Sequence, residues 1–366
     1  MRVRLEDVAD LAKGAALLGA GGGGDPYVGA LMLRQALAEK GSVQLIDVNE
    51  LPDHVLAVPF ASMGAPTVAV EKIPNGEDFT AALRALERRL NRRAEAILCC
   101  EIGGINALLP LILGARLGLP VVDGDGMGRA FPELQMVTYN MFGVPAAPMA
   151  MADEHSNIVM VEAPAAQEVE RLGRHVVVAM GGSAQICLYA MSGADAKRSM
   201  IRGTLSLALG LGQVIRTAKS ADNGPHQAVL EYLRSTPYYQ HCRSLFEGKC
   251  SDILRETRAG WSVGRAAIEG FGRYSGRTLE IQFQNEHLIA REGAQIRAVV
   301  PDLITVVDAA TAEPITVEGL KYGQRVCVLG ISAAPIMRSA EALAVWGPKV
   351  FGFDVPFTPV EVLNPE

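Results

Sequence analysis

GAGGGGDP, residues 19–26, decides how the first part of the chain is read. Gly19, Gly21 and Gly24 satisfy the spacing Gly-x-Gly-x-x-Gly of a dinucleotide-binding turn, and Asp47, closing the apolar run VQLID, stands where a ribose-binding acid would. Such a turn also needs a strand in front of it. What stands there is LEDVADLAKGAALL, residues 5–18, whose apolar members Leu5, Val8, Leu11, Ala12, Ala15 and Ala16 recur at three and four residues. That is helical spacing, so the dinucleotide context fails. The glycines then end one helix, and Asp25 followed by Pro26 starts the next, which continues to about residue 39. A glycine loop feeding a helix amino end attracts anions in any fold, because free amides and the helix dipole both favour negative charge. Three readings remain: a nucleotide site, a site where the amides of Gly22, Gly23, Gly24 and Asp25 hold a substrate carboxylate or other anion, and a plain turn.

From this start, apolar runs alternate with helical patterns. VQLIDV (43–48), HVLAVPFA (54–61), AEAILCCEI (94–102) and PVVDGDG (120–126) read as strands, with helices expected at about 26–39, 77–93 and 105–117. This order predicts an α/β domain over 1–165 with a mostly parallel sheet and flanking helices, whose ligands gather beyond the carboxyl ends of the strands. A second domain, 166–366, is expected to hold strands at HVVVAMGG (175–182) and AQICLYAM (184–191), one long amphipathic helix over 194–219, and β-rich structure beyond about 245. No repeat is evident.

The chain has 366 residues, 49% of them hydrophobic and 20% charged, enough for two cores and too apolar for disorder. Its 34 basic and 40 acidic residues give a net charge of -6, which argues against a nucleic-acid partner. The one basic cluster, RALERRLNRR (84–93), lies on a helical pattern with Leu83, Leu86 and Leu90 on one face and reads as a solvated helix surface. The amino end shows no basic-then-apolar leader, and no apolar run reaches about 20 residues, so a soluble cytoplasmic protein with no membrane partner is expected. Six cysteines without a Cys-x-x-Cys pair read as buried thiols.

Two motifs fall where strands should end. CCEIGGIN (99–106) offers Glu101, a glycine pair, and Asn106 able to cap the next helix; VVDGDGMGRAFPE (121–133) offers Asp123, Asp125, Arg129 and Glu133. Carboxylates crowded above neighbouring strands push one another's pKa values apart, as acid–base chemistry requires. Asp123 and Asp125 also suit a divalent metal such as zinc, given further ligands from elsewhere. The plainer alternative is that both acids make turn hydrogen bonds and Arg129 a structural ion pair. No two of the six histidines have metal-pair spacing, and no nucleophile elbow or phosphate loop occurs. In QFQNEHLIA (282–290), Asn285 and Glu286 interrupt an apolar strand, which places them either in solvent or in a cleft between domains.

GAGGGGDP, MGAPTVAVEK (63–72), EIGGIN, DGDGMGRAFPE, RGTLSLAL (202–209) and FQNEHLIA, in this order, resemble the family filed as a hydantoinase- and oxoprolinase-associated domain of unknown function, now named for S-methyl thiohydantoin desulfurase. The resemblance implies a two-domain protein. It also implies that water adds to a thiohydantoin ring carbon and sulfide or a thiol departs, with Asp123 or Asp125 as base, Glu101 as proton donor, Arg129 or a metal as electrostatic partner, and the glycine loop, Asn106, Asn285 and Glu286 around the substrate. Two other classes stand beside this hydrolase: an accessory subunit working with a hydantoinase, and an oxidoreductase using a nicotinamide or flavin. A homo-oligomer is expected on general grounds.

Overall fold

A computed structural model describes residues 1–64, 68, 72, 76–218, 224–258 and 261–365. Of the MGAPTVAVEK stretch, only Met63, Gly64, Val68 and Lys72 fall among them. The first sheet runs, in spatial order, through Arg2–Val3, Val43–Ile46, Val121–Val122, Ala96–Cys99, Leu56–Gly64, Ser183–Cys187, Met149–Ala152 and Ile158–Val161. Its four central strands, from Val43–Ile46 to Leu56–Gly64, are parallel, and the outer strands are antiparallel. The helix Leu109–Leu117, apolar on nearly every side, packs against the parallel strands, and the helix Pro26–Lys40 covers it in turn. The second sheet is wholly antiparallel, in the order 295–299, 286–292, 278–284, 261–270, 242–258, 325–331, 303–308, 314–315. The architecture is thus α/β with a separate β-rich sheet, as the alternation in the sequence predicts. No helix among the described residues is long and apolar enough to cross a membrane.

The opening stretch folds as its spacing dictates. Val8–Leu18 is a helix that buries Val8, Leu11, Ala15 and Leu18. The chain then turns through glycines, and Asp25 starts the next helix by accepting the Tyr27 amide at 2.8 Å. Two expectations fail. HVVVAMGG is not a strand: His175–Ala179 completes the helix Ala166–Ala179, because Val169, Gly173 and Val177 face the core at helical spacing and tertiary packing overrides the β-branched run. Nor is 194–219 one helix. It breaks into Gly193–Ser199 and Thr204–Thr217 around a two-residue strand, Ile201–Arg202, which pairs with Gly124–Asp125. Gly203, at φ +72, makes the break.

The helices Val8–Leu18 and Thr204–Thr217 cross almost backbone to backbone. A Cβ on Gly14 would lie 1.8 Å from the Ala208 carbonyl oxygen, and one on Gly212 would lie 1.7 Å from that of Asp10. Arg216 then pairs with Asp10 at 2.9 Å beside the crossing. Gly14→Ala should therefore force the helices apart and lower stability by about 1–3 kcal/mol, read as a lower urea midpoint at unchanged slope.

Candidate functional site

The parallel strands end on one side of their sheet, and the chemistry collects there. Two residues beyond the strand Ala96–Cys99, Glu101 is buried. Its Oε1 accepts from Asn106 Nδ2, and its Oε2 accepts the Phe131 amide at 3.2 Å. Asn106 is held in turn, its Oδ1 accepting the Ser62 amide at 2.8 Å. Burial pushes the Glu101 pKa up to about 7; the Asn106 and Phe131 hydrogen bonds pull against it.

On the facing wall, Asn285 makes the turn into the strand Glu286–Glu292. At φ +57 it adopts a conformation that asparagine tolerates, and it exchanges hydrogen bonds with Ser262 through its amide and Oδ1. The next residue, Glu286, is buried, and its Oε2 has no hydrogen-bond partner among the described residues. Burial, reinforced by the charge of Glu101, holds its carboxyl well above the usual range. The glycine loop closes the gap between the walls. A Cβ on Gly22 would lie 2.1 Å from Glu286 Oε1, and one on Gly23 would lie 2.4 Å from the Gly103 carbonyl, so no larger residue fits. Gly23, Gly24, Glu101, Asn106, Asn285 and Glu286 therefore line one narrow cleft of about 90 Å³, open to solvent, together with Cys100, Phe131, Glu133 and Arg174. The sequence left Asn285 and Glu286 between solvent and a cleft; the structure puts them in the cleft.

Other residues named from sequence sit behind this lining. Asp125 is fully buried, and its Oδ2 accepts the amides of Ile102, Met127 and Gly128 at 3.0, 2.9 and 2.8 Å. Burial raises its pKa to about 7 against those donors. Asp123 has different partners: its Oδ1 accepts the Ser206 amide at 3.0 Å in the first turn of the helix Thr204–Thr217. Among the described residues these acids do not gather into a three-ligand metal group. Arg129 is fully buried and donates to the carbonyls of Ala130, Pro301, Asp302 and His287, its guanidinium 4.8 Å from the Phe131 ring centre. Burial lowers its pKa to about 10, so it stays a cation, with Glu286, Asp302 and Glu101 its nearest compensation. Asp302 anchors the carbonyl side of this arrangement. Its carboxylate accepts from Arg338 and from the amides of Ala333 and Val360. Gly22 and Asp25 shape the loop without lining the cleft.

Some members were not singled out from sequence. Arg174 pairs with Glu170 at 2.7 Å, stacks 5.0 Å from the Trp261 ring centre and donates to the Pro132 carbonyl. The four-residue spacing of Glu170 and Arg174 was the available signal, masked by the strand-like HVVV that follows. His287 is buried with Nδ1 against the Ile304 carbonyl at 2.9 Å, and burial lowers its pKa to about 4, leaving it neutral.

A two-sheet protein with buried acids facing one another across a glycine loop is the class that these features define. The chain belongs to the S-Me-THD-like family: residues 6–163 match its N-terminal domain and residues 164–360 its C-terminal domain. Among solved structures, the X-ray structure of a protein from Chromobacterium violaceum is similar at 26% identity and a TM-score of 0.81, covering 98% of this chain and 100% of that one. No curated protein matches.

Asp125 is the one acceptor for three buried amides. Asp125→Ala should destabilise the chain by about 2–5 kcal/mol, whereas Asp125→Asn, which keeps an oxygen in place, should unfold close to the parent; denaturant midpoints of the pair decide this.

Proposed function

We propose that the chain hydrolyses thiohydantoin-like rings, with Glu101 as base and Glu286 as acid. The observation that carries this reading is the pair of buried carboxyls on opposite walls of one cleft, Glu101 with its pKa raised to about 7 and Glu286 raised well above the usual carboxylate range, with an unpartnered oxygen. Membership of the S-Me-THD-like family supports a thiohydantoin-like substrate. Ionised Glu101 takes a proton from water as the C–O bond forms at the ring carbon between the two nitrogens. Glu286 then gives its proton to the departing sulfur as the C–S bond breaks. One water is consumed and one thiol or sulfide leaves; as the ring carbon becomes a carbonyl the hydroxyl proton of the adduct passes to the ring nitrogen of an S-alkyl substrate, or to the sulfide of a thione, and the proton on Glu101 returns through solvent to Glu286. Asn106 holds the base in position, and the Gly24 amide offers a donor to negative charge developing on the ring, while the Gly23 amide is turned to the Glu286 carboxyl.

The loop supports an anion or a polarised ring rather than a pyrophosphate. Glu286 stands against Gly22, where a dinucleotide phosphate would need open space and positive charge.

Glu101→Gln should keep the fold and slow sulfide or methanethiol release from a thiohydantoin panel by about 10²–10⁴-fold. Because a raised carboxyl pKa means that the active, ionised form appears only as pH climbs, kcat/KM of the parent should rise through about pH 7 with a slope of one. A flat profile from acid to neutral pH would remove Glu101 as base. A purified chain that binds the ring without turning it over, yet accelerates a hydantoinase, would favour the accessory role instead.

Gly22→Ala tests the wall opposite. It should drive the Glu286 carboxyl out of place and lower kcat more than it lowers the thermal midpoint, as parallel kinetic and melting measurements would show.

A further inference from the structure

Outside the cleft, three side chains of different chemistry meet at the second sheet. Glu247, in the strand Cys242–Arg258, stands directly across the ladder from Cys327, in the strand Arg325–Ile331, so their side chains share a face. His226 reaches them from the first turn of the helix Pro225–Arg234, which packs on the strand Cys242–Arg258. One ligand atom from each of the three lies within 4.8 Å of the others.

The geometry points to a divalent metal site of the zinc class formed by His226, Glu247 and Cys327. Two details favour this over ordinary packing. His226 Nε2 is 3.7 Å from Glu247 Oε1, beyond hydrogen-bond reach. Two such atoms bound to one tetrahedral zinc stand about 3.3–3.6 Å apart, given bond lengths of about 2.0–2.2 Å. Sulfur, imidazole and carboxylate together form a donor set that suits zinc and cobalt and not magnesium or calcium. Cys327 is fully buried, whereas His226 and Glu247 remain 19% and 30% exposed, which leaves the ion an entry path and a fourth position for water. Ser244 Oγ, 3.2 Å from Cys327 Sγ, is placed to support the thiolate once its proton has left to solvent and the sulfur–metal bond has formed. The bound ion would fasten the helix Pro225–Arg234 to the second sheet.

The test is titration of the chelator-treated full chain with cobalt(II), followed by competition with zinc. Saturation at one equivalent per chain, a thiolate-to-cobalt charge-transfer band in the near ultraviolet and strong visible bands of a four-coordinate ion are expected. His226→Gln and Glu247→Gln, both at partly exposed positions, should retain the parent circular dichroism and bind at least about tenfold more weakly. Cys327→Ser should lose the charge-transfer band. Zinc should raise the thermal midpoint of the parent and not of His226→Gln. No saturable binding, a spectrum without the sulfur band, or unchanged affinity in His226→Gln would overturn the site. None of its three residues lines the cleft, so the result is independent of the proposed hydrolysis.

Discussion

The passage of residues 19–24 between two walls is the constraint on which the rest hangs. His287 donates its amide to the Ala20 carbonyl at 2.8 Å, and Val317 donates to that of Gly21 at 2.8 Å, so the loop is laced to the second sheet. On its other side the loop presses on Gly103 and Gly104 at the end of a parallel strand: a Cβ on Gly104 would lie 2.1 Å from the Gly24 carbonyl oxygen. Only a chain stripped of side chains can lie that close to both neighbours. The result is that an acid from the second sheet faces an acid from the first.

Once so placed, those acids are governed by the scarcity of water. In a dry site a carboxylate is costly unless a positive charge or several donors meet it. Asp125 is met by donors, Asp302 by Arg338, and Glu101 by Asn106 and Phe131. Glu286 has the Gly23 amide against its carboxyl and no partner for Oε2 among the described residues. Arg129 is near, yet its hydrogens go to carbonyls, so it contributes a field and no direct bond. Each acid thus differs in how many donors meet it, and Asp125 and Glu286 each keep one oxygen without a partner among the described residues.

Much of this was legible in the residues alone. Helical spacing over 5–18 identified the element before the glycines, and Asp25-Pro26 the start of the next, because both signals are local. The acidic strand ends were legible for the same reason: glycine-rich acidic strings are poor core material. What could not be read was partnership across the chain. Asp123 and Asp125 look equivalent two residues apart, and only the positions of Ser206 and of the Ile102 amide separate them. Glu286 appeared as a polar interruption in a strand; its pairing with Glu101 depends on two sheets meeting. The run His175–Val178 misled because β-branched residues favour strands until a helix offers them a core. The break at Gly203 was missed because the apolar periodicity resumes beyond it.

Asp302 couples the tail of the molecule to this machinery. Its carboxylate collects Ala333, Arg338 and Val360, while its carbonyl steadies Arg129 behind the acids. The segment around Val360 is consequently a buttress and not an appendage. Removal of Val360 would be felt first as slack around a guanidinium far upstream in the sequence, because the carboxylate that accepts the Val360 amide belongs to the residue whose carbonyl accepts from Arg129.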